Sequence, residues 1–115
     1  MRRFQRFSER VCRSHGVTPL QYLLLLHIKG YRGREYANVG ELAERLQAQP
    51  HGVVALISRC EKRGLVTRRP SKLDRRAVQV HLRKKGERLL LRLGSLHRAE
   101  LKSFRGAFPA VMGDG

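Results

Sequence analysis

A mainly α-helical domain carrying one small β-hairpin is the fold class this chain predicts, on three observations. Residues 65–82, LVTRRPSKLDRRAVQVHL, read as two strands around a basic loop. Directly upstream, 39–63 holds two short helical patterns separated by a turn. Apolar residues recur at helical spacing on both sides of that block. Helix, turn, helix and basic hairpin, in that order, make a winged helix-turn-helix domain, here with N- and C-terminal helices suited to dimerisation.

Phe4, Phe7 and Val11 recur at spacings of three and four among arginines, which predicts an amphipathic helix over 2–14, ending near His15-Gly16. Thr18, Pro19 and Gln21 supply an N-cap, a first-turn proline and a capping-box partner for the next helix. Its run from Leu20 to Ile28 is apolar almost all round and stops at Gly30, so it is expected to be the central core helix. GYRGREYA at 30–37 is a loop, and 37–39 a small edge strand. Asn38 and Glu41 form a cap pair for a helix that buries Leu42, Ala43 and Leu46. Gln47 to Gln49 turn the chain, and Pro50 opens a helix with Val53, Leu56, Ile57 and Cys60 inward and Gly64 at its end.

Strands follow at 65–70 and 76–82, where Val78, Val80 and Leu82 alternate with Ala77, Gln79 and His81. From Gly86 a final helix carries Leu89, Leu90, Leu93, Leu96, Leu101 and Phe104. Gly94 weakens its middle by roughly 1 kcal/mol relative to alanine and marks a point for a kink. One domain covers 1–115: an N-terminal dimerisation helix over 1–16, the winged core over 17–85, a C-terminal dimerisation helix over 86–108, and a tail over 109–115 expected to fray.

Lysine and arginine number 25 against 9 acids, a formal charge of +16. Like charge at that density repels itself, so a polyanion is the expected partner, with nucleic acid ahead of an anionic membrane. Residues 50–86 hold eleven basic and two acidic side chains, or +9, whereas 35–49 hold three acids and one base. The charge therefore gathers on the second helix of the pair and on the hairpin. Cys12 and Cys60 lack metal-ligand spacing, and two thiols do not make a disulfide framework. The run at 20–28 is too short to span a bilayer, and no signal segment follows the basic N-terminus, so a soluble, cytoplasmic protein is expected. Histidines at 15, 27, 51, 81 and 97 are scattered, no serine sits in a nucleophile motif, and GYRGRE lacks the G-K-[ST] ending of a phosphate loop. Neither enzymatic activity nor a metal or cofactor is expected.

VGELAERL at 39–46, the helix ending in EKRGLV, and DRRAVQVHLRKKG at 74–86 together resemble the MarR family of bacterial transcription regulators. The resemblance runs from about Thr18 to Leu101. Its most specific part is Asp74 and Arg76, followed at fixed distance by strand and Lys85-Gly86. It implies a homodimeric winged helix that binds double-stranded DNA at a pseudo-palindromic operator, in this reading as a repressor, often released by a small-molecule effector or by oxidation. Carried over position by position, 50–62 would be the recognition helix, presenting Pro50, His51, Gly52, Val54, Ala55, Ser58, Arg59 and Lys62 to DNA. Lys72, Arg75 and Arg76 would lie at the wing, with Asp74 orienting its tip and Arg76 entering the minor groove. A narrow minor groove attracts a guanidinium, which has the reach and permanent charge to use it. A sequence-independent nucleic-acid module and a protein-interaction module meeting an acidic partner are the competing readings.

The chain departs from the family pattern in places. The first turn and a half of the recognition helix has no bidentate Arg, Asn or Gln. His51 can donate to a base edge, and Val54 or Ala55 can meet a thymine methyl, so specificity shifts toward DNA shape, Ser58 and Arg59. Arg83 stands where threonine is usual, adding a phosphate contact. The sequence stops at Gly115, where relatives commonly continue through another helix. Phe4, Phe7, Val11, Leu93, Leu96, Leu101, Phe104 and Phe108 then exceed the needs of a small core, and a dimer built from both termini is expected. The alternative is that they cap the monomer core. Cys12 lies between Arg10 and Arg13, which would acidify its thiol if near in space and make it a redox site. An ordinary core or interface cysteine is the favoured reading, and Cys60 is read as core.

Overall fold

The computed structural model describes residues 2–30, 34–74 and 76–107, with Arg2 and 104–107 as backbone only. Within them run α1 (Arg2–Ser14), α2 (Pro19–Lys29), β1 (Tyr36–Asn38), α3 (Val39–Leu46), α4 (Pro50–Lys62), β2 (Val66–Pro70), β3 (Val78–Leu82) and α5 (Lys84–Ala107). All eight elements were expected. The boundaries moved by one or two residues, as helix and strand ends do.

Local chemistry sets the starts and stops. Gly16 takes φ +79°, and Val17 N donates to Cys12 O at 2.9 Å, which closes α1 with a left-handed residue that glycine adopts without strain. Thr18 and Gln21 cap α2 reciprocally: Gln21 N donates to Thr18 Oγ1 at 3.1 Å, and Thr18 N to Gln21 Oε1 at 2.9 Å. Asn38 N donates to Glu41 Oε1 at 2.9 Å at the start of α3. Arg34 also binds the Glu41 carboxylate and lies over the Tyr36 ring, so the end of the preceding loop is pinned to α3.

The three strands form one antiparallel sheet in the order β1-β3-β2. Ala37 and Arg68 both oppose Val80, which places fully buried Val80 at the centre of the sheet. The core gathers Leu24, Leu25 and Ile28 of α2, Leu42 of α3, Ile57 of α4, Leu65, Val66 and Val80 of the hairpin, and Leu93 of α5. The first turn of α5 crosses tightly over the entry to β2. A Cβ built on buried Gly86 would lie 2.3 Å from Leu65 O, so only glycine allows the approach.

Two expectations about apolar residues need correction. Helix α2 is not buried all round: Leu20, Leu23 and Leu26 are 52%, 40% and 41% exposed, while Tyr22, Leu24, Leu25 and Ile28 face inward. Its continuous apolar run hid this, because periodicity cannot separate two faces of the same chemistry. The proposed dimerisation set also divides. Leu93 is fully buried in the chain's own core and has no surface left for a partner. Val11 packs partly against that core. Phe4 and Phe7 are half-buried, with ring centroids 5.7 and 5.6 Å from the His97 ring, and His97 also stacks on Tyr22 at 5.2 Å. His97 Nδ1 is 2.6 Å from Leu93 O and Nε2 is 3.0 Å from Ser8 Oγ, so this one side chain ties α1, α2 and α5 together. Leu96 is half-buried, and Leu101 remains 45% exposed. The Phe104 side chain, Phe108 and the tail at 109–115 lie outside the described residues. Helix α5 runs unbroken through Gly94. Among the described residues no helix is long and apolar enough to cross a membrane.

Candidate nucleic-acid interface

The turn between α3 and α4 begins at Gln47, which adopts φ 52°, the only non-glycine residue with positive φ among those described. Gln47 N and Ala48 N return to the last carbonyls of α3, so the turn is closed by backbone bonds. Pro50 then starts α4, where its missing N–H costs nothing. The inward stripe is the expected one: Val53, Leu56, Ile57 and Cys60 are buried. Facing away are Pro50, His51, Gly52, Val54, Ala55, Arg59 and Lys62, all exposed, with Ser58 half-buried. A Cβ added at Gly52 would meet nothing within 4 Å among the described residues. The N-terminal half of α4 therefore offers a low, open surface of small side chains with one imidazole, and its cations come later in the helix.

The hairpin tip is organised by its own polar side chains. Ser71 N donates to Ala77 O and Ala77 N to Asp74 O, both at 3.0 Å. Ser71 Oγ accepts from Leu73 N at 3.2 Å and Asp74 N at 3.3 Å, and Asp74 Oδ1 accepts from Arg76 N at 3.0 Å. The expected orienting aspartate thus holds the backbone of the expected arginine. Ser71 shares the task, and sequence reasoning passed over it, although a serine two and three residues before turn amides is a known turn signal. Lys72, Asp74 and Arg76 are exposed, and Leu73 between them is fully exposed. Arg75 lies outside the described residues.

A clamp joins this hairpin to α4. Arg68 N donates to Glu61 Oε2 at 3.1 Å, while Arg68 Nε and Nη2 donate to Oε1 at 3.2 and 2.9 Å. These bonds, the backbone one first, hold the Glu61 carboxyl below its ordinary value. The end of α4 and the first part of β2 are thus fixed to each other at the point where both leave the core. Sequence reading treated Glu61 and Arg68 as bare charges. Lys85 Nζ adds a second tie, donating to Arg63 O at 2.8 Å.

Cys12 does not fit an acidified thiol. It is fully buried, and burial raises its pKa, outweighing the bond from Ser8. Arg10 and Arg13 are exposed, so their charge stays in water. Cys60 is likewise buried, with its thiol pushed up to about 11 by desolvation. Among the described residues no group of histidine, cysteine and carboxylate side chains is placed to hold a metal ion.

Three comparisons bear on this arrangement. A family model described as MarR family matches residues 15–77. The HTH-type transcriptional repressor MdtR of Bacillus subtilis is 32% identical over 72 residues, a segment that takes in 63% of this chain and 44% of that protein. The chain thus spans less than half of that relative's length. Among solved structures, the YusO protein from Bacillus subtilis superposes with a TM-score of 0.82 at 23% identity, covering 93% of this chain and 74% of that one. A mutant of S. aureus MepR bound to an oligodeoxyribonucleotide gives 0.81 at 16% identity, covering 91% and 75%. At such identities these two structures speak for the fold.

Proposed function

The chain belongs to the MarR family, and from that premise we propose that it is a homodimeric, sequence-specific double-stranded-DNA-binding regulator that acts as a repressor. The observation that carries the proposal is the clamp between α4 and the hairpin, because it joins the two elements a duplex would meet. Helix α4 enters the major groove with Pro50, His51, Gly52, Val54 and Ala55 leading and Ser58, Arg59 and Lys62 behind. Small residues there let the helix backbone lie close to the bases. His51 and Arg59 are the side chains able to donate to base edges or phosphates. The wing reaches the neighbouring minor groove with Arg76, with Lys72 and Arg75 beside it and Asp74 setting the tip. The dimer draws on apolar side chains that one copy leaves uncovered, Leu101 and the α2 leucines among them, with Phe4, Phe7 and Leu96 contributing their free edges. A small-molecule effector would release the complex, and the cytoplasm is where such a regulator meets its DNA.

Selection of bound sites from random duplexes is the test. The expected result is a consensus with two-fold symmetry, preferred over random duplex by roughly 10³ or more. Tight but sequence-indifferent binding would make the protein a general nucleic-acid module instead. Salt-insensitive binding to an acidic protein, without duplex binding, would make it an interaction module, since six to ten phosphate contacts should cost roughly 10³–10⁵ in affinity between 50 and 200 mM salt. Sedimentation of the free protein should give a dimer mass, and a monomer at every concentration removes the two-fold operator.

A further inference from the structure

Behind the hairpin lies an open depression of about 920 Å³, between the end of α4, the outer face of β2, the end of β3 and the start of α5. Arg63, Arg69, Arg83, Lys84, Lys85 and Arg88 line it, with Lys62 on its rim, and no carboxylate lines it among the described residues. The acids nearest in sequence are engaged elsewhere. Glu61 is bound to Arg68, and Glu87 pairs with Lys29 at 3.6 Å. Lys85 is drawn inward by its bond to Arg63 O, which adds to the crowding of like charge. Such a concavity is electrostatically unfavourable when empty and favourable with a polyanion across it.

The depression is separate from the recognition surface but continuous with it. His51 and Lys62 are eleven helical steps apart on α4, roughly 17 Å at the rise of an α-helix. Thr67 and Arg69 line the depression, whereas Arg68 between them is turned to Glu61, as alternation along a strand requires. Lys62 joins the depression to α4. Arg69 joins it to the wing, since it also lines the small hollow beside Lys72 and Leu73.

We infer that this depression is a second, sequence-independent DNA contact, which holds the phosphate backbone of duplex flanking the recognised site. The inference rests on the DNA-binding reading above. The continuity through Lys62 and Arg69 favours the flank of the same duplex over a separate molecule. The contact lengthens the footprint and makes affinity depend on how far the duplex extends beyond the site.

The test uses Arg83→Gln/Lys84→Gln/Arg88→Gln, three exposed positions outside the proposed base-reading set. Affinity is measured against salt for two duplexes carrying the selected site, one trimmed to it and one extended by about one helical turn at each end. Each lost phosphate contact lowers the log–log salt slope by about 0.9. The wild-type slope on the extended duplex should exceed that of the variant by roughly 2–3, while the two proteins agree on the trimmed duplex. A charge-keeping variant, Arg83→Lys/Lys84→Arg/Arg88→Lys, should restore the extended-duplex slope, and that separates lost charge from lost folding. Equal slopes for wild type and the glutamine variant on both duplexes overturn the inference and leave the proposed function standing. Equal losses on both duplexes also overturn it, because the cations would then act at the site itself or through a second duplex. Wild-type protein that binds neither duplex overturns the proposed function and this inference together.

Discussion

Replacing Gly86 by alanine would place a methyl group 2.3 Å from a backbone oxygen, Leu65 O, that cannot swing aside. Alanine gains up to about 1 kcal/mol over glycine inside a helix. Overpacking against a fixed neighbour costs about 1–3 kcal/mol, so the clash wins and the variant should be the less stable protein. Gly94→Ala is the matched control. Among the described residues its new methyl meets only Arg98 Nη1, at 3.3 Å, the far end of a flexible side chain, so the helix gain remains and stability should rise by roughly 0.5–1 kcal/mol. Denaturant titration of both variants checks the pair, and a Gly86→Ala protein as stable as wild type would mean that α5 is not held against Leu65. The sequence distinguished the two glycines, Gly86 by its place in the Lys85-Gly86 motif and Gly94 as a weak point of the helix, but neither reading showed the close approach to Leu65. At the wing the residue scale was more readable: Asp74 and Arg76 were singled out, and their bond is present. Arg76→Ala should weaken DNA binding, lower the salt slope by about 0.9, and relax any preference for A·T-rich flanks. A slope and flank preference identical to wild type would place Arg76 outside the groove.

Helices, strands and caps were legible because each depends on neighbours in sequence. Thr18 with Gln21 and Pro50 at a helix start could be read directly; the alternation of β3 was legible only in part, since Val80 is buried while Val78 and Leu82 are half-buried like Gln79 and His81. What could not be read is how elements meet, because that depends on contacts between distant positions. The Glu61–Arg68 clamp is the clearest case, and it carries a pH dependence. Hydrogen bonds in the folded state lower the Glu61 pKa. A carboxyl with a depressed folded pKa contributes stability above its unfolded value, and that contribution is lost as pH falls through the folded value. Glu61→Gln should therefore be less stable than wild type near neutral pH, and the difference should close under acid conditions. The effect is small, since both side chains are 35% exposed and water screens them. Its larger consequence concerns DNA. With the clamp weakened, the sheet and core still hold the base of the wing, but its tie to the end of α4 is looser, and Glu61→Gln should lose affinity through the wing contacts while keeping base preference in the α4 half of the site. Selection of sites with this variant reads the difference directly. A consensus degraded equally at every position would show that the clamp supports the whole fold instead.

For the molecule as a whole, the charge can be read from the sequence, whereas the apolar surface that remains was misplaced in part. The sign and crowding of charge are properties of composition, whereas exposure depends on packing. That is why Leu20, Leu23 and Leu26 were assigned to the interior and Leu93 to an interface. The net charge itself makes the last prediction. Folding brings 25 basic side chains together with only 9 acidic ones, and unfolding lets them separate, so self-repulsion lowers stability. Among the described residues the Lys29–Glu87 pair at 3.6 Å is exposed and worth little, and the better-covered Arg34–Glu41 and Arg68–Glu61 pairs are too few to reverse the trend. Added salt screens repulsion and attraction alike, and here repulsion dominates. The melting temperature should therefore rise as sodium chloride is raised from about 20 to 200 mM. Duplex DNA at low salt should raise it further. A ligand that binds only the folded state adds about 2.7 kcal/mol at a hundredfold excess over its Kd, which for a domain of this size corresponds to a shift on the order of 10 °C. The two effects should then oppose each other, because salt that stabilises the free protein weakens the complex. With DNA present, the melting temperature should fall as salt is added and meet the rising curve of the free protein at high salt. Curves that run parallel with and without DNA would mean that the duplex neutralises none of the charge that folding concentrates.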